Sequence, residues 1–135
     1  MKALILASVL VAGAAYAAPQ PVTGRWLTPE GKAIVEIAPC GQALCGRIAK
    51  VLKPRPGGPA VDVKNPDPAQ RTRPIEGIRI LTGLTADGDV WKGRVYDPES
   101  GRTYRAELTR TGSTLKLKGC LFGPLCRTQA WTQAR

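Results

Sequence analysis

The chain is 135 residues of formal net charge +10, with 20 basic against 10 acidic side chains, four cysteines and no histidine. That length supports one domain with one core. It excludes a two-domain enzyme, an integral membrane protein, a disordered chain and any mechanism that rests on a catalytic histidine.

Met1–Lys2 precedes an uncharged run from Ala3 to Ala18, and Ala15-Tyr16-Ala17 follows the small-residue pattern of a cleavage site. The sequence therefore predicts a signal peptide over 1–17 and a single domain over 18–135, placed in the periplasm or secreted. Cleavage after Ala17 removes 17 of the 135 residues, leaves 118, and lowers the charge from +10 to +9 through the loss of Lys2. The apolar run is too short for a membrane span.

After Val22, hydrophobic alternation broken by turn residues predicts strands near 22–28, 32–39, 44–52, 77–85, 89–96, 102–110, 113–120 and 126–133. Pro29-Glu30-Gly31, Ala86-Asp87-Gly88, Pro98-Glu99-Ser100-Gly101 and Thr111-Gly112 supply the turns. One connection is long. It runs from Lys53 to Pro74, opens with prolines and glycines that cannot join a ladder, and offers Asn65 or Asp67 as the cap of a short helix. Loops of this length are lids, binding segments or plain covers. Eight sequential hairpin-joined strands predict an all-β, up-and-down antiparallel barrel, with a two-sheet sandwich as the alternative.

The cysteines fall into two close pairs. In an exported chain they are expected as the disulfides Cys40–Cys45 and Cys120–Cys126, each enclosing a turn-like segment. A single zinc on four thiolates is the competing reading, but it favours shorter spacers and reduced thiols. No metal or cofactor is expected.

Hairpin lengths then assign side chains to faces. They pair Leu108 with Leu115, Tyr104 with Val95, Ala106 with Gly93, Trp91 with Leu84 and Thr82 with Gly93. They also pair Leu117 with Gln129, Leu115 with Trp131, Ile37 with Ile48, Val35 with Lys50 and Trp26 with Ala33. The large apolar residues gather on one face, while Lys92, Arg94, Arg105, Lys116 and Lys118 take the other. Gly24, Ala33, Gly93, Ala106 and Gly119 leave inward space, so the barrel holds either a cavity or a filled core. Trp91, Val95, Tyr104, Gln129, Trp131 and Lys50 are the expected ligand contacts. Polar groups among them need a partner when buried, or reach water at the barrel mouth.

These residues together resemble a known group. Gly24-Arg25-Trp26, Glu36–Gly41, Leu44–Ile48, Asp62, Asn65-Pro66-Asp67, Arg71, Arg73-Pro74, Gly77, Tyr96-Asp97-Pro98, Gly101, Tyr104, Gly119-Cys120, Leu125-Cys126 and Trp131 are similar to the bacterial exported domain-of-unknown-function family 2147. The resemblance implies a lipocalin-like barrel in the cell envelope and no established reaction. Gly24-Arg25-Trp26 also resembles the lipocalin opening motif, which implies a structural pairing of Trp26 with Arg127 on the last strand.

Two functions follow as expectations. One is a binding protein for a small apolar or amphipathic molecule, covered by the Lys53–Pro74 loop. The other is an envelope adaptor that holds an anionic polymer or protein on its basic outer face. Nucleic acid is not an expected partner, because the basic face lacks interleaved aromatics. Asp62, Asp67, Asp97 and Glu99, joined by Tyr96 or Lys50, are the candidates for acid–base work. Asp97 and Glu99 read as turn residues and Asp67 as a cap, so catalysis is not expected.

Overall fold

In a computed structural model, which describes residues 3–9, 19–54, 56–57 and 60–135, eight antiparallel strands close into a barrel in sequential order. They are β1 (Gly24–Leu27), β2 (Ala33–Cys40), β3 (Ala43–Val51), β4 (Arg79–Asp87), β5 (Val90–Asp97), β6 (Arg102–Thr111), β7 (Thr114–Cys120) and β8 (Cys126–Gln133). Among the described residues, the only helical pieces are 3-10 turns at Pro29–Gly31 and Pro68–Gln70. The predicted cleavage site after Ala17 lies outside the described residues. No helix among the described residues is long and apolar enough to cross a membrane.

The barrel's polarity follows from alternation. In β6 and β7, Ala106, Leu108, Leu115 and Leu117 point inward and are buried, while Arg105, Lys116 and Lys118 are exposed between them. An apolar interior inside a charged wall is the reverse of a lipid-facing barrel. The core contains Trp26, Val35, Ile37, Leu81, Leu84, Leu108 and Leu115, each with essentially no exposed surface.

The register on β5–β6 and β7–β8 is the one the hairpins predict: Val95 faces Tyr104, Gly93 faces Ala106, Leu117 faces Gln129 and Cys120 faces Cys126. Four other pairings differ. The β6–β7 turn is Gly112-Ser113, so Leu108 faces Leu117 and Ala106 faces Gly119. Trp26 faces Val35 rather than Ala33. Both are slips of two residues, which keep every side chain on its face.

The other two involve bulges and do change faces. The β2–β3 turn is Gly41-Gln42, so Cys40 and Cys45 are bonded diagonally, and a bulge at Ile34/Val35 sets Lys50 opposite Ile34. Lys50 is therefore exposed on the outer wall. In β4, Gly83 and Leu84 together oppose Gly93, and this extra residue turns Thr82 outward beside Arg94.

The two ends of the barrel are built differently. The short turns β2–β3, β4–β5 and β6–β7 share one end, and the segment before β1 runs across it. Val22 is fully buried there and its carbonyl accepts from Trp26 Nε1 at 2.9 Å. The Gln20 carbonyl accepts from Trp91 Nε1 at 3.0 Å, and the Pro21 carbonyl from Arg110 Nη1 at 2.9 Å. This end is closed. The barrel seam lies between β1 and β8, where the ladder has only two residue pairs, Trp26 with Gln133 and Leu27 with Thr132, extended by Ala134 N–H donating to the Arg25 carbonyl.

Candidate functional site

The opposite end is open. The β1–β2, β3–β4, β5–β6 and β7–β8 connections surround it, and below them lies a cavity of about 730 Å³. Its buried walls are Val35, Ile48, Ile80, Val95, Leu117 and Trp131, which come from β2, β3, β4, β5, β7 and β8. They line it because alternation points one residue in two inward. Volume remains because Ala33 and Gly119 also face it. A Cβ built at Gly119 would come no nearer than 3.6 Å to Tyr104 Cβ and 3.7 Å to Val95 Cγ1, ordinary contact distances.

The other small residues do not make this space. A Cβ at Gly93 would fall 2.5 Å from the Thr82 carbonyl oxygen and 2.8 Å from Leu84, because the β4 bulge packs down on it. Ala106 is buried in the core and does not line the cavity, and Gly24 is exposed.

Of the expected ligand contacts, Val95, Tyr104, Gln129 and Trp131 line the cavity, with Trp131 Nε1 donating to Gln129 Oε1 at 3.1 Å. Two do not. Trp91 is half-buried at the closed end and is tied to Gln20; Lys50 is on the outer wall for the register reason given above. The structural pair also differs. The guanidinium over Trp26 belongs to Arg110 of β6, 5.2 Å from the ring centroid, whereas Arg127 lines the cavity at the open end. Arg110 reaches Trp26 from the closed end of β6, while Arg127 starts β8 at the other end of the barrel. Both predicted disulfides are present and no cysteine is free. Cys40–Cys45 sits at the closed end and Cys120–Cys126 at the mouth.

The long loop forms one wall of the opening. Residues 60–62 run against 73–75 through Asp62 N–H to the Arg73 carbonyl and Ile75 N–H to the Ala60 carbonyl, both 3.0 Å. Asp67 caps the 3-10 turn by accepting from Ala69 N–H at 3.0 Å, with Pro68 next in line. The loop is fastened to the barrel by Asp62, whose side chain is fully buried. Its carboxylate accepts from Tyr96 Oη at 2.7 Å, Asn65 Nδ2 at 2.8 Å and Arg73 Nη2 at 3.3 Å. A buried carboxylate is tolerated only when donors surround it in this way. Burial of the Tyr96 phenol, and then its bond to Asp62, push its pKa up to about 12.

Tyr96 also lines the cavity, so one residue joins loop, barrel and pocket. The remaining acids have structural uses. Asp97 accepts from Ser100 Oγ and from Glu99 N–H in the β5–β6 turn, as its sequence position predicts.

Sequence reasoning missed most of the cations of the mouth. Lys32, Lys53, Lys64 and Arg102 all line it, together with Arg127. The available signal was positional: each lies at a strand end or loop beside an open-end connection.

The sequence matches the model of a family described as uncharacterized proteins conserved in bacteria, DUF2147, over residues 24–133. No curated protein matches the chain. Among solved structures it is similar to protein HP1028 from Helicobacter pylori, described as belonging to the lipocalin family. The TM-score is 0.74 at 20% identity, covering 85% of this chain and 84% of that one. All eight strands, from Gly24 to Gln133, lie within the matched segment, and the chain belongs to the DUF2147 family, on a lipocalin-like eight-stranded barrel.

Proposed function

We propose that the protein binds a small apolar or amphipathic molecule in the open half of its barrel, as an exported protein of the periplasm or exterior. The observation that carries this reading is the cavity of about 730 Å³ with Val, Ile, Leu and Trp walls. Small-molecule sites occupy roughly 300–1,000 Å³ and are mostly apolar with a few polar groups, and here those groups are Tyr96, Tyr104, Gln129 and Arg127. Two disulfides fit an oxidising compartment.

The test is native mass spectrometry of protein taken gently from a producing cell, beside the Gly119→Leu variant. A releasable extra mass is expected on the parent protein and not on the variant, whose side chain projects into the cavity from a position with room for its Cβ. Equal ligand mass on both would refute a site in the barrel.

A second reading has one supporting observation. Arg94 and Arg105 are directly opposite each other on β5 and β6, both exposed, with no carboxylate partner among the described residues. Like charges across a ladder are unfavourable, and a bound polyanion would relieve them. Retention on an anionic matrix that disappears in Arg94→Gln/Arg105→Gln supports this outer-wall adaptor; unchanged retention discards it.

A further inference from the structure

Outside the N-terminal stretch, every exposed large apolar side chain among the described residues is at the open end. Leu52, Val61 and Val63 belong to the β3–β4 connection, while Phe122 and Leu125 belong to the β7–β8 loop. Val63, Phe122 and Leu125 are 56%, 67% and 55% exposed, so these are not the half-covered edges of a core. The β7–β8 loop is held in shape by Leu121 N–H to the Leu125 carbonyl, Leu125 N–H to the Phe122 carbonyl and the Cys120–Cys126 bond.

Cations surround the same opening. The acids there are already engaged: Glu30 and Glu99 share Lys32, Asp97 closes its own turn, and Asp62 is buried. Lys64, Arg102 and Arg127 have no carboxylate within ion-pair distance among the described residues.

We propose that the open end is a docking surface for anionic phospholipid bilayers, with Val63, Phe122 and Leu125 entering the acyl boundary and Lys64, Arg102 and Arg127 meeting the headgroups. Apolar tips beside unpaired cations match the two layers of such an interface, headgroup charge above hydrocarbon. A protein partner fits less well. The apolar groups stand on two separate loops around an opening, which gives no continuous face to pack against, whereas fluid acyl chains conform to separate tips. Docking would set the mouth of the cavity against the bilayer, but the inference does not depend on what the cavity holds.

The test is co-sedimentation with vesicles of phosphatidylcholine alone, or of phosphatidylcholine mixed with phosphatidylglycerol. Binding is expected only to the mixed vesicles and should weaken with added salt. Phe122→Ser and Leu125→Ser should each reduce it roughly tenfold. Lys64→Gln, Arg102→Gln and Arg127→Gln should reduce it by roughly fivefold each. Phe122 is too exposed for its loss to unfold the barrel, and unchanged thermal melting of Phe122→Ser verifies that.

Arg94→Gln/Arg105→Gln, on the barrel wall, should bind as the parent does. An equal loss from the wall variant would show that overall charge is responsible and would overturn the proposal. So would absence of binding to mixed vesicles, or binding indifferent to Phe122→Ser, the results expected if a protein partner covers this end. Gly119→Leu should still sediment with vesicles, so failure of the ligand reading and failure of the docking reading are separately visible.

Discussion

Replacing Tyr96 with Phe removes one oxygen from the fastening of the long loop and leaves Asp62 fully buried with only Asn65 and Arg73. A hydrogen bond to a buried charge contributes about 2 kcal/mol, which moves a urea midpoint by roughly 1 M for a domain of this size. The pH dependence is the sharper check. The phenol titrates near 10 when unfolded and about 12 in the fold. A raised folded pKa means that the unfolded state loses its proton first. The phenol's contribution is therefore complete below pH 10 and is lost as pH rises from 10 through 12.

A shift of that size narrows the gap between parent and Tyr96→Phe by about 1 kcal/mol at pH 11 and removes most of it, about 2 kcal/mol, at pH 12. Urea unfolding at 25 °C of both proteins from pH 8 to 12, followed by circular dichroism, measures the gap directly. Lysine titration is common to both chains and cancels in the difference. A gap that stays constant across this range, or a Phe variant as stable as the parent at pH 8, would refute the account of Asp62 and Tyr96 given above.

Gly101 has φ +72, and a Cβ there would run into the Lys64 carbonyl; Gly112 has φ +60 and open space. Gly101→Ala should cost about 3 kcal/mol against about 1 kcal/mol for Gly112→Ala, and equal losses in denaturant would show that the β5–β6 turn does not bear on the long loop. Arg110→Ala loses the contact with Trp26 and the bond to Pro21. About 1–2 kcal/mol should go with faster amide exchange at the closed end, and unchanged exchange there would count against the plug. Removing either disulfide should cost roughly 2 kcal/mol, since both close short loops. Only the Cys120→Ala/Cys126→Ala pair, at the mouth, should also weaken ligand retention, as read by native mass spectrometry.

Strand number, order and the inward face of β5–β8 were legible because short turns tie neighbouring strands to each other, and a two-residue slip leaves faces unchanged. Lys50 and Thr82 were misplaced by bulges. A bulge adds one residue, reverses the alternation beyond it, and leaves little trace in hydrophobicity, although Gly83 inside β4 was a usable sign. Trp91 was read as a ligand contact because alternation reports which face a side chain takes, not how far along the barrel axis it lies. The partner of Trp26 was misread because the motif pointed to the last strand: Arg127 begins that strand at the open end, whereas the guanidinium over Trp26 comes from Arg110 at the closed end of β6. Asp62 was read only as one of several acids available for acid–base work. Its burial depends on three donors spread between residues 65 and 96, a convergence no local pattern displays.

The seam between β1 and β8 has a consequence for how the molecule comes into being. The first strand to be synthesised is the partner of the last, and residue 25 meets residue 134 only when both ends of the barrel segment are present. Until then β1 carries an unpaired edge, and Trp26 has no complete core to enter. Such long-range closure folds slowly, and a sheet edge exposed meanwhile invites pairing with other chains. A nascent chain of this kind has reason to be met by a holding chaperone, and truncation of even the final strand should yield aggregates rather than a smaller barrel.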